Sequence, residues 1–299
     1  MQTLYSLSAI DPVTAKKSAL QQGIQLLDEK LNRSLESFTA GILYTISVAQ
    51  YAERDAHIKA SKYIAEKHAV NTKIAGNEFM WQILSNETFK AKVKESKIDR
   101  LIDDEWVKKL YLQLVQAEAY AEYISANERH AKTEKSIIRY IWEELIMKNE
   151  TLQEIFADEM PGYEDDREMI GMLMENFFRS HQKVNFLDLL SGEKKEYAYE
   201  LLRTALDKEE YCMELIEPKL KNWEAERIAQ IDLILLRMGV CELLYFPTIP
   251  TKVTINEYIE VAKMYSTPQS GQFVNGVLDN VRKDLDKAGQ INKQERVKK

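Results

Sequence analysis

The stretch from Pro250 to Val281 constrains the fold more than any other part of the sequence. Thr254 and Glu257 are spaced as a capping box, in which the hydroxyl caps an amide of the first turn and the carboxylate returns to the cap residue. Thr267 and Pro268 predict the cap and the first position of a second helix. The first helix carries an apolar stripe at helical spacing, which consists of Ile255, Tyr258, Ile259, Ala262 and Tyr265. The stretch therefore predicts a helical hairpin.

Two glycines, Gly271 and Gly276, lie inside the second predicted helix. Each should cost roughly 1 kcal/mol relative to alanine, because glycine loses more backbone freedom on folding. A helix usually tolerates this cost where another backbone or a ligand approaches closely, and packing of two core helices is the simpler interpretation. We therefore expect close helix packing at both positions. The apolar face of this helix is expected to consist of Phe273, Val277, Leu278, Val281 and Leu285.

The remaining sequence also has helical character. No segment alternates with a period of two, and no repeat of 20–50 residues is visible, so we predict an all-α fold. We expect helices over Ala19–Leu35, Ser37–Ile64, Phe79–Leu84, the charged region Lys90–Asp104, Trp106–Ile124, Ser136–Met147, Glu168–Phe178, Lys194–Pro218 and Ile228–Phe246. Asn71–Asn77 reads as a loop, Pro161-Gly162 as an internal boundary, and Arg282–Lys299 as a frayed, mildly basic tail.

The composition is that of a globular protein, with 45% apolar and 30% charged residues. A net charge of −7 argues against a surface that is basic throughout, although a local basic patch remains compatible with it. Cys212 and Cys241 lie in apolar helical patterns and are expected to be buried thiols in a reducing compartment. Neither a secretory leader nor a membrane span is expected, so the predicted location is the cytoplasm.

The sequence contains no recognisable catalytic or metal-binding motif. The histidines His57, His68, His130 and His181 lack partners at metal-ligand spacing and are expected at the surface. Glu143 and Glu144 are adjacent and would point to different sides of a helix. We therefore expect a binding module without metal or cofactor rather than an enzyme.

The residues from Ile228 to Val281 resemble the C-terminal half of NusB-type transcription antitermination factors. Gln2–Ser6 resembles the end of that family's first helix, and Tyr199–Leu202 more weakly resembles its middle helix. The resemblance is carried by Leu236-Arg237, Glu242-Leu243, Pro250-x-Lys252-Val253, Ile255-Asn256-Glu257, Ala262-Lys263, Ser270 and the run Phe273-Val274-Asn275-Gly276-Val277-Leu278-Asp279.

This resemblance implies a non-catalytic helical bundle that pairs with NusE, a ribosomal small-subunit protein. The pair would bind boxA RNA in nascent transcripts and help RNA polymerase read through terminators, notably on bacterial ribosomal RNA operons. It also implies four segments: the end of the first helix over 1–8, a helical insertion over 9–189, the NusB-like core over 190–287, and a basic flexible tail over 288–299.

The resemblance further implies which residues make contacts. Tyr5 and Asp232 match positions that face NusE in the family. Positions on or beside the family's RNA face are matched by Gln230, Lys252, Gln269, Ser270, Gln272 and Phe273. Lysine suits a phosphate, glutamine suits a base edge, and a phenylalanine ring can stack on an unpaired base. For Phe273, core packing is an equally good interpretation.

Two departures from the family pattern bear on RNA binding. An Arg-rich segment that would lie just before Gln2 has no counterpart, so we expect the start of the gene to lie further upstream or RNA attraction to be weaker or supplied elsewhere, for example by the tail. Gln269 replaces the family's acid before the serine, which removes a negative charge near the expected RNA path.

Two other functions fit parts of the sequence. The chain could dock another transcription or ribosome-assembly factor, with the 9–189 insertion as the platform and little RNA binding of its own. NusB-like modules also accompany ribosomal RNA methyltransferases. That alternative requires a Rossmann-like domain with a glycine-rich cofactor loop and a catalytic cysteine, and no such loop is present up to Lys299.

Overall fold

The computed structural model describes residues 1–8, 16–62, 71–188, 190, 192–220 and 228–294. Within these ranges the secondary structure is helical throughout, which confirms the all-α prediction. The helices are α1 (Gln2–Ser8), α2 (Lys16–Lys62), α3 (Glu78–Leu84), α4 (Glu87–Ser96), α5 (Asp104–Gln116), α6 (Glu118–Ser125), α7 (Ala131–Tyr140), α8 (Glu150–Glu159), α9 (Tyr163–Ser180), α10 (Gly192–Asp207), α11 (Glu209–Ile216), α12 (Gln230–Tyr245), α13 (Thr251–Tyr265) and α14 (Ser270–Lys287). A π-helical segment (Ile141–Ile146) continues α7, and short 3-10 turns occupy Ile98–Leu101, His181–Lys183 and Glu217–Lys219. No described helix has the length and apolar character to cross a membrane.

The chain forms two compact units, here called the terminal unit and the central unit. The terminal unit combines Met1–Glu29 with Leu190–Lys299, and the central unit is Lys30–Leu189. The insertion was expected to begin at residue 9. Residues 16–29 of α2 lie in the terminal unit, where the Tyr199 hydroxyl donates to Asp28. The Pro161-Gly162 boundary is internal to the central unit, where Gly162 adopts φ +86° immediately before α9.

Helix α2 joins two helices that were predicted separately. It is continuous across Glu36, because no glycine or proline interrupts the sequence between Leu35 and Ser37. Residues 106–124 were predicted as one helix, but the structure has two, α5 and α6, which meet at an extended Ala117. Expected features at 63–70, including the end of the second helix and His68, and at 9–15 lie outside the described residues.

The central unit has its own core, in which aromatic rings are prominent. Phe38 lies 5.8 Å from both Phe177 and Phe186, measured between ring centroids. The Trp142 ring packs directly on Gly41 of α2, where an added Cβ would lie 2.7 Å from Cζ3 of the indole. His181 is half-buried rather than at the surface, because its ring lies 4.6 Å from that of Phe79. Its Nε2 is 2.8 Å from Oε1 of Gln82.

The terminal unit is organised around α12, which packs on α1, α10, α11, α13 and α14. Contact on so many sides explains why apolar residues occur around most of the helix. Gly239 permits the closest approach, since an added Cβ would lie 2.9 Å from both terminal methyls of Leu278 and 3.4 Å from Tyr258. Fully buried α12 residues include Leu235, Leu236, Val240 and Cys241.

Both helix starts predicted for the hairpin are displaced in the structure. Helix α13 begins at Thr251 with Pro250 as its cap residue, so the Thr254–Glu257 capping box is wrong. Thr254 lies one turn inside the helix, fully buried, and its Oγ1 has no hydrogen-bond partner in the described structure. Helix α14 begins at Ser270 rather than Pro268, and Thr267 contacts Ser270 through their hydroxyls at 2.8 Å.

The two hairpin glycines differ from each other. An added Cβ at Gly271 would lie 3.1 Å from Cγ of Lys263, as close helix packing predicts. At Gly276 nothing lies within 4 Å of an added Cβ, so the expectation of close packing is wrong there.

We expect Gly276→Ala to stabilise the terminal unit by about 0.5–1 kcal/mol, because alanine restricts the unfolded chain and has open space in the folded one. Gly239→Ala is the matched control. There the crowding against Leu278 should exceed the gain in helix propensity and destabilise the unit by about 1 kcal/mol. Urea unfolding measures both free energies. A Gly276→Ala protein less stable than the parent would contradict this account.

The start of the C-terminal tail is anchored to the terminal unit. Nζ of Lys293 donates to the carbonyls of Glu242 and Phe246 at 2.8 and 2.9 Å, at the C-terminal end of α12. Burial at this position lowers the pKa of Lys293. The backbone N–H of Gln294 donates to the carbonyl of Pro247 at 2.9 Å. Residues 288–294 therefore differ from the free tail expected there, and residues 295–299 lie outside the described part.

Candidate nucleic-acid and partner interface

The first turns of α12 and α14 are joined by one buried hydrogen bond. The hydroxyl of Ser270 donates to Oδ2 of Asp232 at 2.7 Å. Ser270 is 1% exposed and Asp232 is 4% exposed. The same hydroxyl oxygen lies 3.0 Å from Oγ of Ser266 and accepts from the N–H of Thr267 at 3.2 Å. The end of α13 and the beginnings of α12 and α14 therefore meet at one end of the terminal unit.

The burial of Ser270 and Asp232 bears on their predicted roles as contact residues for RNA and for NusE. Ser270 was expected on the RNA face and Asp232 on the NusE face, but both side chains point inward. Oδ1 of Asp232 is buried and has no hydrogen-bond partner in the described structure. A buried carboxylate with a single donor depends strongly on that donor. The geometry makes these residues a joint between α12 and α14.

Other predicted residues are exposed around this joint. Gln230, the first residue of α12, donates through Nε2 to Oγ of Ser8 at 2.7 Å, which places the end of α1 at the same end of the unit. Gln269 and Gln272 are exposed at the beginning of α14. Tyr5, one turn before Ser8, is 45% exposed. The structure thus gathers three amide side chains and a phenol near one end of the terminal unit.

Lys252 and Phe273 are placed differently. Lys252 is exposed in the first turn of α13, whereas the joint lies at the end of that helix. At 1.5 Å of rise per residue, the 13 positions from 252 to 265 correspond to roughly 20 Å along the axis. Phe273 is 5% exposed and belongs to the apolar core, which favours core packing over stacking on a base.

One cation near the joint was not singled out from the sequence. Lys263 is exposed on the last turn of α13, and its side chain runs alongside Gly271 of α14. Its Nζ is paired with Glu260 at 2.7 Å. The sequence did contain an indication of this lysine, because Ala262-Lys263 is one of the motifs that carry the resemblance to the NusB family. Only the helix register shows that this lysine, unlike Lys252, lies beside the beginning of α14.

The beginning of α14 carries no carboxylate in its first turn. The backbone N–H groups of Ser270, Gln272 and Phe273 at this helix start donate to the carbonyls of Thr267 and Gln269, and the helix dipole favours negative charge nearby. The glutamine at 269 therefore adds no negative charge at this helix start, and the nearby carboxylate of Glu260 is paired with Lys263.

The opposite end of the terminal unit holds a second buried carboxylate. Oε2 of Glu242 accepts from the Tyr197 hydroxyl and lies 3.4 Å from the Tyr258 hydroxyl. Burial raises the pKa of both tyrosines, and the neighbouring carboxylate adds to the effect. Both phenols consequently stay protonated and can act as donors to Glu242. This cluster ties α10, α12 and α13 together and has no exposed reactive group.

The comparisons with known proteins identify the family. The sequence model of the protein family described as "NusB family" matches residues 168–283 of the chain. A transcription antitermination protein NusB from Geotalea daltonii is 40% identical over 129 residues, which cover 41% of this chain and 87% of that relative. The chain therefore belongs to the NusB family. No solved structure matches the chain significantly.

Other relatives match a smaller share of their own length. The transcription antitermination protein NusB of Salinibacter ruber is 50% identical over 99 residues, which cover 33% of this chain and 62% of that relative. The protein of the same description from Methylacidiphilum infernorum is 43% identical over 95 residues, or 32% of this chain and 66% of that relative. The chain thus spans about two thirds of the length of these two relatives.

Proposed function

We propose that this chain is a non-catalytic transcription antitermination factor that acts in the bacterial cytoplasm. It would pair with NusE and bind boxA RNA, so that RNA polymerase continues through terminators, notably on ribosomal RNA operons. The observation that carries the proposal is membership in the NusB family, whose relatives bear the description "transcription antitermination protein".

The proposed RNA surface consists of the exposed residues Gln230, Lys263, Gln269 and Gln272, which surround the Asp232–Ser270 joint. Gln230, Gln269 and Gln272 present amide groups, which can both donate to and accept from the edges of unpaired bases. Lys263 supplies a cation for the phosphate backbone beside them. Lys252 would contact only RNA that extends along the length of α13.

The proposed NusE surface includes Tyr5. A half-exposed tyrosine offers an apolar ring and a polar tip, a combination that is enriched at protein interfaces. Asp232 would contribute indirectly, because its bond to Ser270 sets the spacing of α12 and α14. The partner surface and the RNA surface would then adjoin across α1 and the beginning of α12.

Binding of the full chain to NusE and to boxA RNA tests the proposal. We expect the complex with NusE to bind boxA RNA more tightly than either protein alone. Absence of NusE binding at micromolar concentration would contradict the partner assignment. Absence of tighter RNA binding by the complex would contradict the antitermination role.

The variant Gln269→Glu/Gln272→Glu tests the RNA surface itself. The two added carboxylates should repel phosphate, and the change from amide to carboxylate removes the donors to base edges. We therefore expect boxA affinity, measured by fluorescence anisotropy, to fall by about tenfold or more. The control Gln113→Glu/Gln116→Glu makes the same change of charge on exposed positions of α5 in the central unit. Equal losses in the two variants would show that net charge, not this surface, sets the affinity.

A further inference from the structure

The two cysteines of the chain lie against each other in the core of the terminal unit. Cys212 is on α11 and Cys241 is on α12, and their sulfur atoms are 3.4 Å apart. Both residues are fully buried, and neither is in a disulfide. Residues 212 and 241 are the only cysteines in the sequence. Neither thiol takes part in the surface proposed for RNA or NusE.

The surroundings of the pair make the two sulfurs unequal. The hydrogen bond with Cys241 holds the pKa of the Cys212 thiol below its usual range; burial opposes this effect, and the nearby Arg237 guanidinium adds to it. The pKa of Cys241 is raised by its bond to Cys212 and by burial. Arg237 is held at this place by an ion pair with Glu209 of α11. The thiolate is the nucleophilic form of cysteine, so the lowered pKa favours Cys212 over Cys241 as the sulfur that attacks an oxidant.

The distance between the sulfurs is short enough for a bond. A disulfide requires a separation of about 2.05 Å, so the two atoms need to approach by roughly 1.4 Å in total. Helices α11 and α12 already pack on each other, and no third cysteine exists to compete for the pair.

We propose that Cys212 and Cys241 are a redox-active dithiol that closes to an intramolecular disulfide on reaction with a hydroperoxide. In the first step the Cys212 thiolate attacks the peroxide, so that an S–O bond forms and the O–O bond breaks. The alkoxide or hydroxide that leaves takes up the proton released when the thiol ionised and departs as an alcohol or water. In the second step the Cys241 sulfur attacks the Cys212 sulfur, and an S–S bond forms as water leaves. The thiols lose two electrons, which the peroxide gains.

Closure would covalently fasten α11 to α12 and cross-link residues 212 and 241 of the unfolded chain. A cross-link removes conformational freedom mainly from the unfolded state, so the oxidised protein should melt at a higher temperature than the reduced one. This inference is independent of RNA and NusE binding, and the two can fail separately.

The test is oxidation of the reduced, folded full chain with hydrogen peroxide in dilute solution. We expect a monomer lighter by two hydrogen atoms, loss of both free thiols together, a cross-linked peptide containing residues 212 and 241, and full reversal by dithiothreitol. In Cys241→Ala the second step is removed, so a sulfenic acid that reacts with dimedone should accumulate at Cys212.

Several results would overturn the proposal. They are a folded product with one or more added oxygens and a surviving second thiol, covalent dimers as the main product, or thiol loss that occurs only once denaturant unfolds the protein. The measurement on the unaltered chain decides among these even where the alanine variant does not fold.

Discussion

Glu134→Ala is expected to destabilise the central unit by about 3–4 kcal/mol. The Glu134 carboxylate is 1% exposed and accepts from the Arg129 guanidinium at 2.9 Å, the Tyr123 hydroxyl at 2.8 Å and the backbone N–H of Glu78 at 2.6 Å. Removing it leaves the Tyr123 hydroxyl and the Glu78 N–H without this acceptor and takes the counter-charge from Arg129, which keeps only its bonds to the carbonyls of Gly76 and Lys73. Breaking a buried ion pair from one side typically costs 3–5 kcal/mol. Arg129 is one-third exposed, which places the expected loss at the lower end.

The matched control is Glu143→Ala on the π-helical segment that continues α7. Glu143 also pairs with an arginine, at 2.6 Å from Nε of Arg139, but both side chains are about 40% exposed. Exposed pairs contribute 0–1 kcal/mol, so this variant should change stability by less than about 1 kcal/mol. Urea unfolding followed by tryptophan fluorescence is the measurement, because Trp81, Trp106 and Trp142 lie in the central unit. Similar losses in both variants would refute a special role for the buried carboxylate.

Ser270→Ala is expected to destabilise the terminal unit by about 2–3 kcal/mol. The substitution removes the hydrogen-bond donor of Oδ2 of Asp232 while Oδ1 already lacks a partner. A buried polar group left without a partner costs about 1–3 kcal/mol, and more if it is charged. The end of α13 also loses a contact, because the hydroxyl lies 3.0 Å from that of Ser266. Chemical denaturation followed by circular dichroism measures the change.

Thr267→Ala is the control for this joint. It removes a neighbouring exposed hydroxyl that contacts Ser270 but leaves the donor to Asp232 in place, so the loss should stay below about 1 kcal/mol. Binding of boxA RNA well below the melting temperature separates the two roles of Ser270. A structural joint predicts nearly unchanged affinity for the folded variant. A direct RNA contact predicts weaker binding at unchanged stability, and that outcome would contradict our assignment.

The class of fold follows from local patterns that the structure preserves. Apolar residues at helical spacing in the hairpin, from Ile255 to Leu285, do face the core of the terminal unit at most of the expected positions. The acids Glu164, Asp165 and Asp166, which follow Pro161-Gly162 in the sequence, occupy the first turn of α9, where the helix dipole favours them. Spacing and terminal charge are properties of neighbouring residues, so they can be read from the sequence alone.

The details of the candidate site depend on contacts between distant residues. The Thr254–Glu257 pair satisfies a local capping rule, yet the chain begins its helix immediately after Pro250 and buries Thr254 in the core. Asp232 and Ser270 are 38 residues apart in sequence, and nothing local indicates that they bond to each other. Gly239 shows the same limitation, because only the position of Leu278 explains why a side chain is excluded there.

The central unit is continuous in sequence and the terminal unit is not, which affects the order in which the two can fold during synthesis. Residues 1–29 leave the ribosome long before the partners on which they pack. The Gln230–Ser8 hydrogen bond, for example, joins residues 222 positions apart. The central unit is uninterrupted in sequence, and domains generally fold as units during translation. We therefore expect the central unit to fold before the terminal unit is complete, because the contacts of α1 with α12 form only after α12 has been translated.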